Sequence, residues 1–154
     1  MANVERHRYG VQTIIPVPVA SATVIAKGDF VCLVSGAAVP ASDVADGGDA
    51  AANREAAAEA FIGLAQTASA DGDTDDLLVD ISMESIHSLT QAAAAAVSVG
   101  DLIEIYATTA AASDQTVVAG STSHIAVVVR EKSATGTEIL CKLVPQKLIN
   151  TAQG

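Results

Sequence analysis

Two stretches of the sequence decide the fold: Gly28-Asp29-Phe30-Val31-Cys32-Leu33 and Gly100-Asp101-Leu102-Ile103-Glu104-Ile105. In each stretch a Gly-Asp pair, typical of a tight turn, stands before a run of mostly apolar residues with high β propensity. Each stretch therefore predicts a turn that opens a β-strand. The recurrence of the pattern predicts a duplicated β unit.

The similarity between the two halves extends beyond these turns. Phe61–Ala65 corresponds to His124–Val128, and Leu77–Ile81 corresponds to Ile139–Leu143 with a charged residue in fourth place in both. The first half is nine residues longer between its turn and its next strand, and an Ala-rich segment around Ala50–Ala60 accounts for this insertion. Two such units could not each bury a core alone, so we expect them to pair.

Short apolar runs between Gly, Asp and Ser clusters predict a mainly β fold, either a small β-barrel or a sandwich. The predicted strands are Phe30–Val34, Ala37–Pro40, Phe61–Ala65, Leu77–Ile81, Ser85–Leu89, Leu102–Tyr106, Thr116–Val118, Ile125–Arg130 and Glu138–Val144. One short helix is expected over Ala50–Ala60 with Asp49 as its cap. We expect a domain at 21–147, with repeat-like halves at about 24–89 and 97–144, and a C-terminal tail at 148–154.

Residues 1–20 are predicted to form an extended N-terminal arm. Pro16 and Pro18 exclude a helix there and disfavour a central strand. Apolar extended segments outside a core commonly add to the sheet edge of a partner, so we expect the arm to be dispensable for folding and needed for docking. The alternative is that it packs on its own body, or on a neighbouring subunit, as an edge strand. The candidate docking residues are Arg6, Arg8, Val11, Ile14 and Ile15.

The acidic residues are concentrated in one central segment. Eleven of the 18 acidic residues lie from Asp43 to Glu84, together with a single basic residue, Arg54, and the two flanking segments are nearly neutral. Because phosphate binding needs Lys and Arg, this distribution argues against direct contact with nucleic acid. We interpret the acidic segment as a solvated face. The sequence has no run of about 18 apolar residues, so no transmembrane helix is predicted.

No constellation of residues predicts catalysis, a cofactor or a metal. The segment Asp71–Asp76 resembles the start of a calcium loop, but Asp76 stands where that loop needs Gly and Ser82 where it needs Glu, so we predict an exposed acidic turn. Cys32 and Cys141 lie in apolar runs and are predicted to be buried free thiols. The chain also has only four aromatic residues and no Trp. The sequence therefore predicts a protein that is not an enzyme.

The pattern of turns and strands resembles one known family, the head decoration (capsid cement) proteins of tailed bacteriophages. The resemblance covers about Val24–Val144, and the Ala- and Asp-rich segment Asp43–Glu59 departs from it. The stretches that carry it are Lys27–Val31, Ser35–Pro40, Phe61–Ala65, Gly100-Asp101 and Ile139–Val144. It implies a protein made in the host bacterial cytoplasm that binds the major capsid protein on the outside of the assembled head. It also implies a trimer without catalytic residues.

Other classes of protein fit the same pattern. A tail-tube or surface-layer subunit would also be a structural β protein. A small trimeric β-barrel enzyme, such as a nucleotide hydrolase, would need a catalytic Asp in a glycine-rich motif and an aromatic lid, and neither is evident. A homo-oligomer, with a trimer favoured, is expected because short strands leave edges to be covered.

Overall fold

The computed structural model describes residues 3–44 and 47–153, and in these residues the chain is mainly β, as predicted. The eleven strands are β1 His7–Tyr9, β2 Ile14–Val17, β3 Phe30–Val34, β4 Ala37–Pro40, β5 Phe61–Ala65, β6 Leu77–Asp80, β7 Ile86–Gln91, β8 Leu102–Ala107, β9 Ala112–Ala119, β10 His124–Val128 and β11 Glu138–Leu143. The helices are α1 Ala50–Ala60 and α2 Gln146–Gln153, and a 3-10 turn spans Ala41–Asp43. The strands form two sheets.

The two halves have the same topology. The first β unit consists of strands in the order β2-β6-β5-β3-β4, and the second β unit has the order β7-β11-β10-β8-β9. Neighbours in both orders are antiparallel. Each unit also has one parallel contact between its outermost segments, a bridge from Val19 to Ala38 in the first and the β7–β9 pairing in the second. The prediction of two similar β units is confirmed, but their bounds differ from the expected halves at about 24–89 and 97–144, because β2 belongs to the first unit and β7 to the second.

Equivalent backbone hydrogen bonds fix the alignment of the halves. The amide of Ala65 donates to the carbonyl oxygen of Asp29 at 3.0 Å, and the amide of Val128 donates to that of Asp101 at 2.9 Å. This is the correspondence that the sequence predicts for β5 with β10.

The units share a core. The larger cluster of buried apolar residues includes Phe30, Cys32 and Phe61 from the first unit together with side chains from all five strands of the second. The smaller cluster lies within the first unit and takes the alternate residues of β3 and β5, such as Val31 and Ile62. Because side chains alternate across a strand, β3 and β5 bury apolar groups on both faces.

Helix α1 has the predicted bounds and the predicted cap. The side chain of Asp49 accepts a hydrogen bond from the amide of Ala52 at 2.8 Å, which satisfies one of the free donors of the first turn. Ala57 and Ala58 face the larger cluster. The insertion in the first half therefore contributes to the core that both halves share.

The arm requires a correction. It is extended, as predicted, but β1 pairs with β7 and β2 pairs with β6, so the expected boundary at residue 20 is not a boundary of the fold. Of the two alternatives, packing on its own body is the one observed. Pro16 lies in β2 at the edge of its sheet, where a missing N–H is tolerated. The expectation that the arm is dispensable for folding conflicts with these pairings.

The C-terminal segment also differs from its prediction. Helix α2 begins at Gln146, and Leu148 packs against the smaller cluster, so the expected tail at 148–154 is helical through Gln153. Cys32 and Cys141 are buried and free, as predicted.

Candidate functional site

Exposed apolar side chains are concentrated along one pair of adjacent segments. Residues 9–17 and 77–86 run antiparallel, with Ile14 opposite Asp80 and Pro16 opposite Leu78. The exposed large apolar side chains on these two segments, called here the apolar edge, are Tyr9, Val11, Ile14, Leu78 and Met83. Apolar groups exposed together in this way mark interaction sites more often than isolated ones do.

Local backbone geometry explains the exposure. In β2, Ile15 and Val17 face the smaller cluster, so the alternate residue Ile14 points outward. Gly10 has a φ of +93°, and a Cβ at this position would lie 3.0 Å from the Cα of Ser85. Glycine therefore permits both the turn after β1 and the close approach of the loops that carry Val11 and Met83.

The acidic segment lies at the other end of β6. Residues 71–76 precede the strand and are all exposed, whereas Met83 of the apolar edge follows it. The exposed acidic turn predicted at Asp71–Asp76 is confirmed. In residues 3–44 and 47–153, no three His, Cys, Asp or Glu side chains are grouped so that they could hold a metal ion. The acidic turn thus ends two residues before Leu78, whereas Met83 follows the other end of β6, beside the exposed Glu84.

The predicted docking residues divide into two groups. Val11, 84% exposed, and Ile14 belong to the apolar edge. Arg8 lies beside it and forms an ion pair with Glu138 at 3.6 Å. Ile15 is half-buried and packs against the smaller cluster, so most of its surface is used within the chain. The sequence interpretation missed Tyr9, two residues before Val11, and also Leu78 and Met83, which lie on the segment that pairs with the arm.

Arg6 requires a correction, because it is only 2% exposed and cannot contact a partner. Its guanidinium donates to the carbonyl oxygens of Gly28, Ser88 and Gln115 and to the hydroxyl of Thr90, at 2.9–3.5 Å. Burial lowers its pKa, but an arginine remains charged in proteins. Since Gly28 precedes β3 of the first β unit and the other three acceptors lie in strands of the second, Arg6 bridges the two units.

A buried polar cluster lies behind the apolar edge. The Asp80 carboxylate accepts hydrogen bonds from Nε2 of His87 and Nε2 of Gln12, both at 2.9 Å, and from the amide and hydroxyl of Ser82. Burial opposes its charge, but these hydrogen bonds outweigh burial and hold the pKa of Asp80 well below its usual range. Asp80 and His87 are fully buried, and the Ser82 hydroxyl contacts Asp80 instead of His87. The cluster therefore lacks the accessible Ser–His contact of a nucleophilic site.

A second buried carboxylate, Glu104, is also fully engaged. It accepts hydrogen bonds from Arg54 at 3.0 Å and from the amides of Thr122 and Ser123 at 2.7 and 2.8 Å. Burial opposes the charge of Glu104, but these hydrogen bonds lower its pKa overall. The space beside it requires Gly120, because a Cβ there would lie 2.4 Å from the carboxylate. Glu104 thus connects the loop at residues 122–123 to Arg54 of α1.

A groove of about 490 Å³ lies between the segments 24–26 and 68–70. All three acidic side chains that line it accept hydrogen bonds within the chain. Asp29 accepts from the amide of Ala26 and from Gln115, Asp73 from the amide of Ala70, and Asp114 from the amide and hydroxyl of Ser42. The side chains that line the groove therefore do not form a nucleophile–base pair.

No protein-family model, no curated protein and no solved structure matches this chain. None of the helices in the described residues is long and apolar enough to cross a membrane.

Proposed function

We propose that the protein is a structural, non-enzymatic subunit that decorates the head of a tailed bacteriophage. It binds the major capsid protein on the outer surface of the assembled virion head and stabilises the shell. The observation that carries the proposal is the apolar edge, which groups Tyr9, Val11, Ile14, Leu78 and Met83 on adjacent segments. Four of these residues lie toward the end of β6 that is farther from the acidic turn, and Leu78 lies near the turn. Such an arrangement suits a subunit that docks through one end and faces solvent with the other.

The buried polar groups support a structural role. Arg6, Asp80 and Glu104 each make several hydrogen bonds within the chain, so their polar atoms stabilise the fold. The acidic surface disfavours binding to nucleic acid, because phosphate groups would be repelled. The duplicated β units and their turns agree with the resemblance of the sequence to capsid cement proteins.

A co-sedimentation assay with assembled heads that lack the protein tests this proposal. The variants Val11→Asp and Met83→Asp place a charge on the apolar edge, and we expect each to reduce head binding by about a hundredfold or more, as for central interface residues. Val99→Asp is the matched control, since Val99 is 66% exposed but lies in the turn before β8, away from this edge. It should bind as the unaltered protein does.

The outcomes separate the alternatives. Failure of the unaltered protein to bind heads would contradict the decoration role. Equal binding by all variants would place docking elsewhere on the surface. Assembly of the protein alone into tubes or two-dimensional arrays, lost in Val11→Asp, would favour a tail-tube or surface-layer subunit.

We also propose that the subunit assembles as a homotrimer. Pairing of β7 with β9 joins the outermost strands of the second unit, but β2 and β4 end the sheet of the first unit and leave strand edges exposed. Oligomerisation covers these edges and multiplies weak contacts with a shell. Light scattering at micromolar concentration should give three times the chain mass, and a monomer would contradict this part of the proposal.

A further inference from the structure

The polar cluster behind the apolar edge lies where the two β units meet. Asp80 ends β6, the last strand of the first unit, and His87 lies in β7, the first strand of the second. The link between them, residues 81–85, carries Met83, and Gln12 lies in the loop that carries Val11. The cluster thus joins both units and both loops of the apolar edge.

The hydrogen bonds of Asp80 require its negative charge. Its four partners are Nε2 of Gln12, Nε2 of His87, and the amide and hydroxyl of Ser82. The NH2 group of Gln12 and the backbone amide of Ser82 can only donate. A neutral side chain that brings its own hydrogens to this position therefore cannot keep all four contacts as they are.

His87 cannot readily adapt to a change at Asp80. It is fully buried, its Nε2 contacts Asp80, and its Nδ1 has no hydrogen-bond partner. If Nε2 became the acceptor, the ring hydrogen would move to Nδ1 and become a buried donor without an acceptor, which is unfavourable. The titratable side chains beside His87 are His7, whose ring lies edge-on at 5.9 Å, and Cys141 on the paired strand.

We propose that ionised Asp80 is a lock that couples the loop 10–13 to the link 81–85 and so fixes the apolar edge. Gln12 and Ser82 hold the two segments to the same carboxylate, and the Ser85 hydroxyl donates to the carbonyl oxygen of Val11 at 2.5 Å. Without the charge, both segments open together while the sheets persist. This coupling does not depend on what the apolar edge binds, whereas its consequence for docking rests on the proposed function.

Amide hydrogen exchange at neutral pH tests the lock directly. The amide of Ile81 donates to the carbonyl oxygen of Thr13 at 2.9 Å and that of Ser82 donates to Asp80, so these two amides report on the contact between the segments. In Asp80→Asn we expect protection to fall by about tenfold or more at both amides while β8 and β10 keep theirs, because local openings are smaller than global unfolding. Unchanged protection at the two amides, or an equal loss across all strands, would overturn the proposal. Head binding by the same variant is measured separately. If the protein does not bind heads at all, the proposed function fails, but the exchange experiment still tests the lock.

A milder pair of variants serves if Asp80→Asn does not fold. Gln12→Ala removes one donor to Asp80, and we expect protection to fall at the amides of Ile81 and Ser82. Gln66→Ala is the matched control, because it removes the contact of Gln66 with Gln12 at 3.3 Å and leaves Asp80 untouched. Unchanged protection at both amides in Gln12→Ala, or the same loss in both variants, would overturn the coupling.

Discussion

Asp29 and Asp101 occupy equivalent positions in the two β units. Each carboxylate accepts a hydrogen bond at 2.8 Å from the backbone amide three residues earlier, that of Ala26 and that of Ser98. The surroundings differ, because Asp101 is exposed whereas Asp29 is buried and also accepts from Gln115 of the second unit at 2.7 Å. One copy of the duplicated turn has thus become a contact between the halves.

The glycines of these turns should differ in their tolerance of a side chain. Gly28 and Gly100 have φ values of +91° and +93°, but a Cβ at Gly28 would lie 2.4 Å from the carbonyl oxygen of Val4, whereas at Gly100 it would meet open space. We expect Gly100→Ala to destabilise the protein by about 1 kcal/mol through backbone strain alone. Gly28→Ala should destabilise it by about 2–4 kcal/mol because the clash adds to that strain. Urea unfolding measures both, and equal losses would contradict the importance of the Val4 contact.

Arg6 and Arg8 are two residues apart and should have opposite roles. Arg6→Ala leaves buried carbonyl oxygens without donors, so we expect a loss of about 2–4 kcal/mol of unfolding free energy. Arg8→Ala removes a surface ion pair and two exposed hydrogen bonds to the carbonyl oxygens of Glu5 and His7, and it should change stability by less than about 1 kcal/mol. Chemical denaturation of the two variants checks the contrast. An Arg6→Ala variant as stable as the unaltered protein would support the prediction that the arm is dispensable for folding.

Local features of the fold were predictable from the sequence. The helix Ala50–Ala60 and the strands Phe30–Val34, Ala37–Pro40 and Phe61–Ala65 have the predicted bounds. Their apolar periodicity, caps and turn residues lie within each segment, so no distant partner is needed to recognise them. The duplication was visible for the same reason, because it repeats these local signals. Strand β9 is longer than the predicted Thr116–Val118, because pairing with β8 extends it through residues of low β propensity.

The candidate site depended on contacts between distant residues. Arg6 and Arg8 lie in the same polar segment, and the local sequence does not tell them apart. Arg6 is buried because it finds four acceptors far along the chain, whereas Arg8 lies at the surface. The apolar edge likewise combines Val11 with Met83, which are brought together by pairing of β2 with β6. The local sequence also did not predict that His87 is buried beside Asp80, because a lone histidine in a β-prone run can point either to the core or to solvent.

The acidic turn should not contribute to stability through a bound cation. Asp71, Asp73, Asp75 and Asp76 are exposed, and ions held by such groups are strongly hydrated. We expect the melting temperature to change by less than about 1 °C when a chelator is added. Removal of a cation lowers the melting temperature only when that cation is bound to the folded protein. Differential scanning calorimetry with and without the chelator measures this. A decrease of several degrees would contradict the interpretation of this segment as a solvated turn.

The two cysteines should be unreactive in the folded protein. Burial raises the pKa of Cys141 to about 12 and also raises that of Cys32, and only the thiolate is a nucleophile. We expect negligible reaction with a thiol reagent at pH 8 and modification of both thiols after denaturation. The control is the same reaction on Cys141→Ser, which should give one thiol fewer in denaturant. Rapid modification of the native protein would show that the shared core opens readily.

The charge of Asp80 should make stability depend on pH in a defined direction. Burial opposes the charge, but the hydrogen bonds from His87, Ser82 and Gln12 hold the pKa of Asp80 below the value of about 3.9 that an unfolded Asp has. A group with a lowered folded-state pKa stabilises the protein above the unfolded pKa, and this contribution is lost as the pH falls through the folded-state pKa. We therefore expect the difference in unfolding free energy between the unaltered protein and Asp80→Asn to be largest near pH 7 and to narrow below about pH 5. Urea titrations from pH 7 to pH 3 measure the two curves.

Asp76→Asn is the control, since Asp76 is exposed and its curve should run parallel to that of the unaltered protein. A difference for Asp80→Asn that stays constant down to pH 3 would mean that the carboxylate charge contributes nothing beyond the shape of the side chain.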